Sequence, residues 1–113
     1  VATDERDGIA ELRFAGGMLY VPGRLRVGER RRIEILARDI SLSLEAPQRT
    51  SILNVLPARV EAVYDAESAQ PVVKVDVGGT ELLARVSRRS LRVLELREGV
   101  RVFVQVKAVA VIP

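Results

Sequence analysis

A hairpin signal occupies the second half of the chain, where the sequence reads Val72-Val73-Lys74-Val75-Asp76-Val77-Gly78-Gly79. Valines alternate with charged residues, which is typical of a strand with one buried face and one solvent-exposed face. The glycine pair suits a tight hairpin turn, and residues 81–86 follow as the returning strand. This stretch therefore predicts antiparallel β-structure, with Val73, Val75 and Val77 facing the core.

The segments on either side of this hairpin extend the prediction to an all-β domain. Residues 55–64 alternate before it, and residues 100–106 and 109–112 alternate after it. Residues 87–94 form the one plausible helix, with Ser87 as its N-cap. The order strand, strand, strand, helix, strand, strand is typical of a small five-stranded Greek-key barrel of the OB type. We therefore predict an OB-type barrel with one short helix, formed by residues 48–113.

The first half of the chain predicts a second set of strands. Gly16-Gly17 separates alternating residues 11–15 from 18–21, and residues 30–37 and 40–44 also alternate. A shift that lays Gly28 on Gly99 also lays Ile33 on Val104, which suggests an internal repeat. Because residues 1–47 are too few to bury a core alone, we predict that this strand-rich half packs on the module of residues 48–113 or on a partner chain.

The composition excludes several classes of function. The 113 residues contain neither cysteine nor histidine, which removes disulfides, thiolate or imidazole metal sites, and nucleophilic catalysis that needs a histidine base. A P-loop of the form Gly-x-x-x-x-Gly-Lys-[Ser/Thr] is absent from the sequence, as is an apolar run of about 18 residues, the length that a membrane span needs. The chain begins with Val1 in a charged segment that does not resemble a signal peptide, so we expect a piece of a longer or processed protein. Because the sequence lacks the catalytic residue types and the P-loop named above, we expect no enzyme in this piece.

The charge pattern argues against a nucleic-acid binder. The formal net charge is +3, but acidic residues are interspersed with the basic ones instead of leaving a one-sided basic stripe. The four aromatic residues are scattered over both halves, whereas an OB-fold that binds single strands stacks bases on clustered aromatics. The aromatic residues are Phe14, Tyr20, Tyr64 and Phe103. Nucleic-acid binding therefore remains a weaker alternative.

A cluster of polar side chains lies just before the strand at residues 55–64. Thr50, Ser51 and Asn54 bring hydroxyls and an amide into a short segment. Side-chain donors and turn amides of this kind can hold an oxygen-rich anion. The same residue types are also ordinary turn formers between strands. Composition alone favours the turn interpretation.

Several short motifs occur in a fixed order along the chain. They are Thr50-Ser51-Ile52-Leu53-Asn54, Val75-Asp76-Val77-Gly78-Gly79, Ala84-Arg85-Val86-Ser87 with Ser90, and Val106-Lys107-Ala108-Val109. Together they resemble the Mop and TOBE modules in the ATP-binding subunits of molybdate ABC transporters. Residues 38–42 with Pro47-Gln48 resemble the region just before the module, and the likeness covers about residues 8–112.

The resemblance implies a cytoplasmic regulatory domain, peripheral to the inner membrane through a transporter complex. It implies a homodimer, an upstream ATPase domain and membrane subunits as partners, and molybdate or tungstate bound at the dimer interface to inhibit transport. No nucleic-acid partner is implied. The family site places a Ser-x-Arg-Asn segment of one chain against a hydroxyl pair and a lysine of the other. The matching residues are Ser51 and Asn54, then Ser87, Ser90 and Lys107.

One position departs from the family pattern, because Leu53 replaces the arginine of the Ser-x-Arg-Asn segment. A hydrogen bond to a charged group contributes roughly 1.5–3 kcal/mol, so the loss predicts weaker anion binding. Arg49 and Arg59 are candidates for the missing charge. The alternative function is a TOBE assembly domain of another importer that binds no oxyanion. The alternative role for Lys107 is a side chain that extends from a strand end into solvent.

Overall fold

Antiparallel strands account for most of the regular structure in the computed structural model, which describes residues 8–23 and 25–112 and the backbone of residues 2–4. The charged segment at residues 1–7 otherwise lies outside the described residues. A single 3-10 turn covers Ala37–Asp39. The elements are β1 (Ala2–Asp4), β2 (Ile9–Phe14), β3 (Gly17–Pro22), β4 (Arg32–Glu34), β5 (Ile40–Ser43), β6 (Asn54–Tyr64), β7 (Val72–Val77), β8 (Thr80–Arg85), α1 (Arg88–Val93), β9 (Arg101–Val106) and β10 (Ala110–Ile112).

The largest sheet contains five antiparallel strands in the order β5-β9-β6-β7-β8. Strand β5 also contacts β8, so the two outer strands approach each other and the sheet curls into an OB-type barrel. Val73, Val75 and Val77 are each 0% exposed inside it, as the alternation predicts. The predicted all-β fold with one short helix is therefore confirmed.

The two halves of the chain exchange strands. Strand β5 pairs with β9, with Ile40 opposite Val106, and β10 pairs with β4, with Val111 opposite Ile33. The prediction that residues 109–112 complete the barrel sheet is wrong in this detail, because β5 supplies the fifth strand. The Lys107 N–H donates to the Asp39 carbonyl at 2.8 Å, so β5 already occupies the edge of β9 where the chain leaves it. The boundary between residues 1–47 and 48–113 stays a prediction.

The glycine pairs of the two long hairpins pack against each other. A Cβ atom added to Gly78 would lie 2.9 Å from Gly16 Cα, and one added to Gly16 would lie 2.2 Å from the Val77 carbonyl oxygen. Contacts this close leave no room for a side chain. The hairpin β2–β3 therefore docks on β7–β8 backbone to backbone, and the glycines serve this docking as well as their turns.

The predicted strand at residues 30–37 is only partly correct. Strand β4 is limited to Arg32–Glu34, and the 3-10 turn begins at Ala37. Its one partner within the described residues is β10, which is equally short. Upstream of β4, Gly28 turns the chain with a φ of 88°, and a Glu29 carboxylate oxygen lies 2.9 Å from Arg31 Nε. The alternating sequence pattern therefore extends beyond β4 into described residues that pair with no other strand.

The short helix forms where the sequence predicts it. Ser87 has an extended backbone, and its Oγ accepts a hydrogen bond from the Ser90 N–H at 3.0 Å, which is the geometry of an N-cap. With six residues, α1 is far shorter than a bilayer is thick. Among the described residues, no helix combines the length and the apolarity that a membrane crossing requires.

Candidate functional site

Asn54 joins the two halves of the molecule. Its side chain is the one polar side chain classed as buried among the described residues, at 6% exposed. The Oδ1 atom accepts a hydrogen bond from the Tyr20 N–H at 2.7 Å, and Nδ2 donates to the Tyr20 carbonyl at 2.9 Å. The amide thereby pairs with the backbone of β3 as another strand would. Asn54 therefore has a structural role that the motif match did not predict.

The segment before Asn54 is open to solvent. The Ile52 N–H donates to Thr50 Oγ1 at 3.1 Å, which forms the turn expected of a threonine in such a segment. Ser51 is exposed, and within the described part of the chain its hydroxyl has no hydrogen-bond partner. Leu53, at the position where the resemblance predicts an arginine, is 57% exposed and presents an apolar side chain to solvent.

Ser87 and Ser90 form a hydroxyl pair at the start of α1. The Ser87 hydroxyl donates to Ser90 Oγ at 2.9 Å, while its oxygen accepts from the Ser90 N–H. The Ser90 hydroxyl hydrogen is then left to donate outward. The two residues predicted as a pair are therefore in direct contact, and Ser87 is a helix cap as well.

Three arginines line a depression beside Ser87, and the sequence reasoning missed them. The depression has a volume of about 300 Å³ and is lined by Ala69, Arg88, Arg89 and Arg92, with no carboxylate in its wall. Arg88 Nη1 donates to the Glu67 carbonyl at 2.9 Å, which holds that guanidinium over the depression. Their signal in the sequence is the spacing Arg88-Arg89-x-x-Arg92, which gathers cations on one turn of a helix.

Lys107 lies one residue beyond the end of β9, at a strand end. Its side chain is exposed and makes no hydrogen bond or ion pair with the described residues. The preceding residue, Val106, is opposite Asn54 in the β6–β9 ladder. Lys107 and Asn54 therefore share one end of the sheet.

The five predicted site residues form two groups in a single chain. Ser51, Asn54 and Lys107 lie around the start of β6 and the end of β9, whereas Ser87 and Ser90 follow the end of β8. Within the described residues, no hydrogen bond joins one group to the other. As a ligand set, the five residues stay a prediction.

The other lysine of the chain has a different environment. Lys74 Nζ lies 3.1 Å from a Glu81 carboxylate oxygen and 3.7 Å from one of Glu61. The hydrogen bond to Glu81 raises the pKa of Lys74 above its ordinary value. No group of three or more acidic residues that could hold a metal ion occurs in the described part of the chain. Lys74 therefore forms ion pairs, whereas Lys107 has no such partner among the residues that the structure describes.

The fold and these residues define a small OB-type barrel domain that carries a hydroxyl pair, a cluster of arginines and an exposed lysine with no ion-pair partner in the described part of the chain. A family model described as the TOBE domain matches residues 50–113. The chain belongs to the TOBE domain family, as the sequence motifs suggested.

Known proteins similar to this chain extend the match to the first half. The chain is 46% identical over 111 residues to the molybdenum import ATP-binding protein ModC of Rhodopseudomonas palustris (strain HaA2), covering 94% of this chain and 29% of the relative. It is 44% identical over 112 residues to ModC of Aromatoleum aromaticum, covering 98% of this chain and 30% of the relative. The chain thus spans about three tenths of the length of these relatives. The shared part includes the residues that the TOBE family model matches.

A solved structure supports the fold. The cytoplasmic molybdate-binding protein ModG, in a crystal form with molybdate bound, superposes with a TM-score of 0.63. The two are 24% identical, and the match covers 71% of this chain and 57% of ModG. The barrel architecture is therefore one already seen in a solved protein.

Proposed function

We propose that this chain is the regulatory and dimerisation domain of the ATPase subunit of a molybdate or tungstate importer, and that it binds the oxyanion between two copies. The observation that carries the proposal is the identity of more than 40% to molybdenum import ATP-binding proteins over nearly the whole chain. ModG, with a similar fold, binds molybdate. The domain would then work in the cytoplasm, attached to the membrane through the importer's other subunits.

The chemistry of the candidate residues suits such a ligand. Molybdate and tungstate are dianions whose oxygens only accept hydrogen bonds, so their site needs donors and positive charge. Ser90 and Ser51 offer hydroxyl hydrogens, and the exposed Lys107 ammonium offers three N–H donors and a charge. Residues 51–54 of one copy and Ser87, Ser90 and Lys107 of its partner would form the site together.

Regulation would follow from linkage. An anion held by residues of two copies stabilises only the paired arrangement of the domains, and so restrains the ATPase domains attached to them. At an anion concentration of 100 times Kd, this stabilisation is about 2.7 kcal/mol, enough to change the population of a two-state assembly by about 100-fold. A rise in cytoplasmic oxyanion would thereby inhibit further import.

The second candidate function is an assembly domain that binds no anion. Two observations favour it: Leu53 exposes an apolar side chain where the resemblance predicts an arginine, and both polar atoms of the Asn54 side chain already bond to Tyr20. In this case the domain pairs ATPase subunits through protein contacts alone. Dimerisation would then be independent of molybdate.

Isothermal titration of the chain with molybdate at low salt distinguishes the two candidates, with sulfate and phosphate as controls. The proposal expects selective micromolar or tighter binding, together with dimer formation in sedimentation runs that contain molybdate. Lys107→Ala should abolish the heat of binding. Lys74→Ala is the matched control, because it removes the other lysine of the chain and should leave binding intact. No molybdate-selective heat and no thermal shift would favour the assembly domain, and Leu53→Arg would then test whether one residue restores the site.

A further inference from the structure

A groove separates two strands of the first half of the chain. It has a volume of about 430 Å³ between β2 and the segment that leads into β4. Its apolar lining consists of Leu12, Phe14, Leu19 and Ile33, and its charged lining consists of Arg13, Arg30, Arg31 and Glu29, which pairs with Arg31. A second hollow of about 320 Å³ continues it along Ile35 and Leu82 and shares Phe14, Leu19 and Ile33 with the first.

The backbone edges on both sides of this groove lack a partner within the described residues. Strand β2 pairs with β3 along its full length, but β1 covers its other edge only at residues 9–11. Strand β4 pairs with β10 on one side and with no described strand on the other. Among the described residues, residues 12–14 and β4 therefore each have an unpaired edge beside the groove. Such edges are templates for a further strand.

The second half of the chain shows which element fits between edges of this kind. There β6 lies between β7 and β9 and pairs with both. Strand β7 corresponds to β2, since each enters a glycine-glycine turn, and β9 corresponds to β4 under the repeat that matches Gly28 with Gly99. Strand β1 corresponds to the last residues of β6, because Thr3 is opposite Ala10 as Tyr64 is opposite Val72. The position that matches the rest of β6 is the groove.

We propose that the groove receives an extended strand continuous with the N-terminal end of β1, antiparallel to β2 and bridging to β4. In the register in which Ala2 is opposite Glu11, the two positions immediately before Val1 would be opposite Arg13 and Phe14. The occupant is thus the backbone immediately before Val1 in a longer form of this chain. Covalent attachment to β1 gives such a strand a high local concentration at the groove.

The groove also sets the sequence pattern of its occupant. In a strand, alternate side chains point to opposite faces, so every second residue would meet the apolar lining and should be apolar. Residues in between would face the charged lining and should be polar or acidic. Strand β6 has this pattern at Leu56 and Val60, which are 8% and 1% exposed. This inference is independent of oxyanion binding.

The test is to extend the chain before Val1 by a copy of residues 54–61, the part of β6 that the repeat assigns to the groove. A glycine-serine extension of the same length is the control. Those amides of residues 12–14 and 32–34 that point away from β3 and β10 should exchange with deuterium at least 10-fold more slowly in the β6-extended chain than in the control, as measured by NMR. The urea midpoint should rise in parallel.

Equal exchange in the two extended chains would overturn the proposal. Slow exchange that depends on protein concentration, with dimers in sedimentation, would also overturn it, because the groove would then be filled by a second copy. The variant Ile33→Lys within the β6-extended chain should restore fast exchange at residues 12–14, since a charge in the apolar lining excludes the apolar side chains of the strand. Retained protection in that variant would equally count against the groove as the binding place.

Discussion

The hydrogen bonds between Asn54 and the Tyr20 backbone make the Asn54→Ala variant the sharpest test of how the two halves are held together. Alanine removes both the acceptor at 2.7 Å and the donor at 2.9 Å. The Tyr20 N–H and carbonyl would then lie in a partly buried place without their protein partner. An unsatisfied buried polar group costs roughly 1–3 kcal/mol. We therefore expect this variant to lose about 2–4 kcal/mol of unfolding free energy.

The size of this loss makes it easy to measure. At about 2.1 cal/mol/K of unfolding entropy per residue, 113 residues give roughly 0.24 kcal/mol/K, so the melting temperature should fall by about 8–17 °C. Urea unfolding at pH 7 should give the free energy directly, with a lower midpoint and an unchanged slope. Ser51→Ala is the control, because this exposed neighbour should change stability by less than about 0.5 kcal/mol.

The stability data also separate folding from ligand binding. If Asn54→Ala lowered the unfolding free energy by less than about 0.5 kcal/mol, as expected for the Ser51 control, the idea that the Asn54–Tyr20 hydrogen bonds hold the two halves together would be refuted. If it destabilised the protein as expected, then a loss of molybdate binding in this variant would say nothing about direct contact. Ser51→Ala leaves the hydrogen bonds between Asn54 and Tyr20 intact, so a loss of molybdate binding in that variant would indicate anion contact by the segment of residues 51–54.

Three further predictions concern packing and charge. Val75→Ala should cost about 1.5–3 kcal/mol in urea unfolding because Val75 is 0% exposed, whereas the same change at Val93, 66% exposed, should cost less than about 0.5 kcal/mol. Gly16→Ala should cost about 1–3 kcal/mol, because its Cβ would meet backbone at 2.2 Å; a variant of wild-type stability would contradict the close docking of the hairpins. Glu81 raises the pKa of Lys74, so the protonated lysine stabilises the folded state relative to the unfolded state. This contribution is present below the ordinary lysine pKa of about 10.4 and is lost as the pH rises through the raised pKa. Lys74→Met should flatten that alkaline fall in urea midpoints, and an unchanged fall would exclude Lys74 as its source.

The barrel could be predicted from the sequence because the signals for its strands lie in neighbouring residues. Alternating valines placed β7 correctly, the glycine pairs placed both hairpins, and Ser87 marked the start of α1. Each of these features depends on a residue and its near neighbours, so a pattern of period two or a capping residue is enough. Strand existence and type were therefore within reach of the sequence.

The exchange of strands between the two halves of the chain could not be predicted from the sequence. Alternation states which face of a strand is buried but carries no information on which strand lies beside it. Strands β5 and β10 have similar patterns, and the internal repeat makes each suited to the other's place. The choice depends on long-range contacts, such as the Lys107 N–H bond to the Asp39 carbonyl, which no local pattern contains.

The candidate site shows the same limit at the level of single residues. The motif identified Ser87 and Ser90 as a pair, and they do contact each other. It did not identify Arg88, Arg89 and Arg92, because a charge run on a helix is usually a solvated face. Only the fold shows that these arginines line a depression next to Ser87 that has no carboxylate in its wall.

Asn54 and Lys107 carry unequal weight as evidence for an anion site. Asn54 is accounted for by folding, because its amide satisfies the Tyr20 backbone and would be needed whether or not an anion binds. Ser87 likewise caps α1. Lys107 is exposed, unpaired among the described residues and placed at a strand end, so the fold gives no reason for a lysine there in preference to any other polar residue. The case for binding in this chain therefore depends on Lys107, and Lys107→Ala, which should leave the urea midpoint unchanged while removing the molybdate heat, separates ligand chemistry from folding most cleanly.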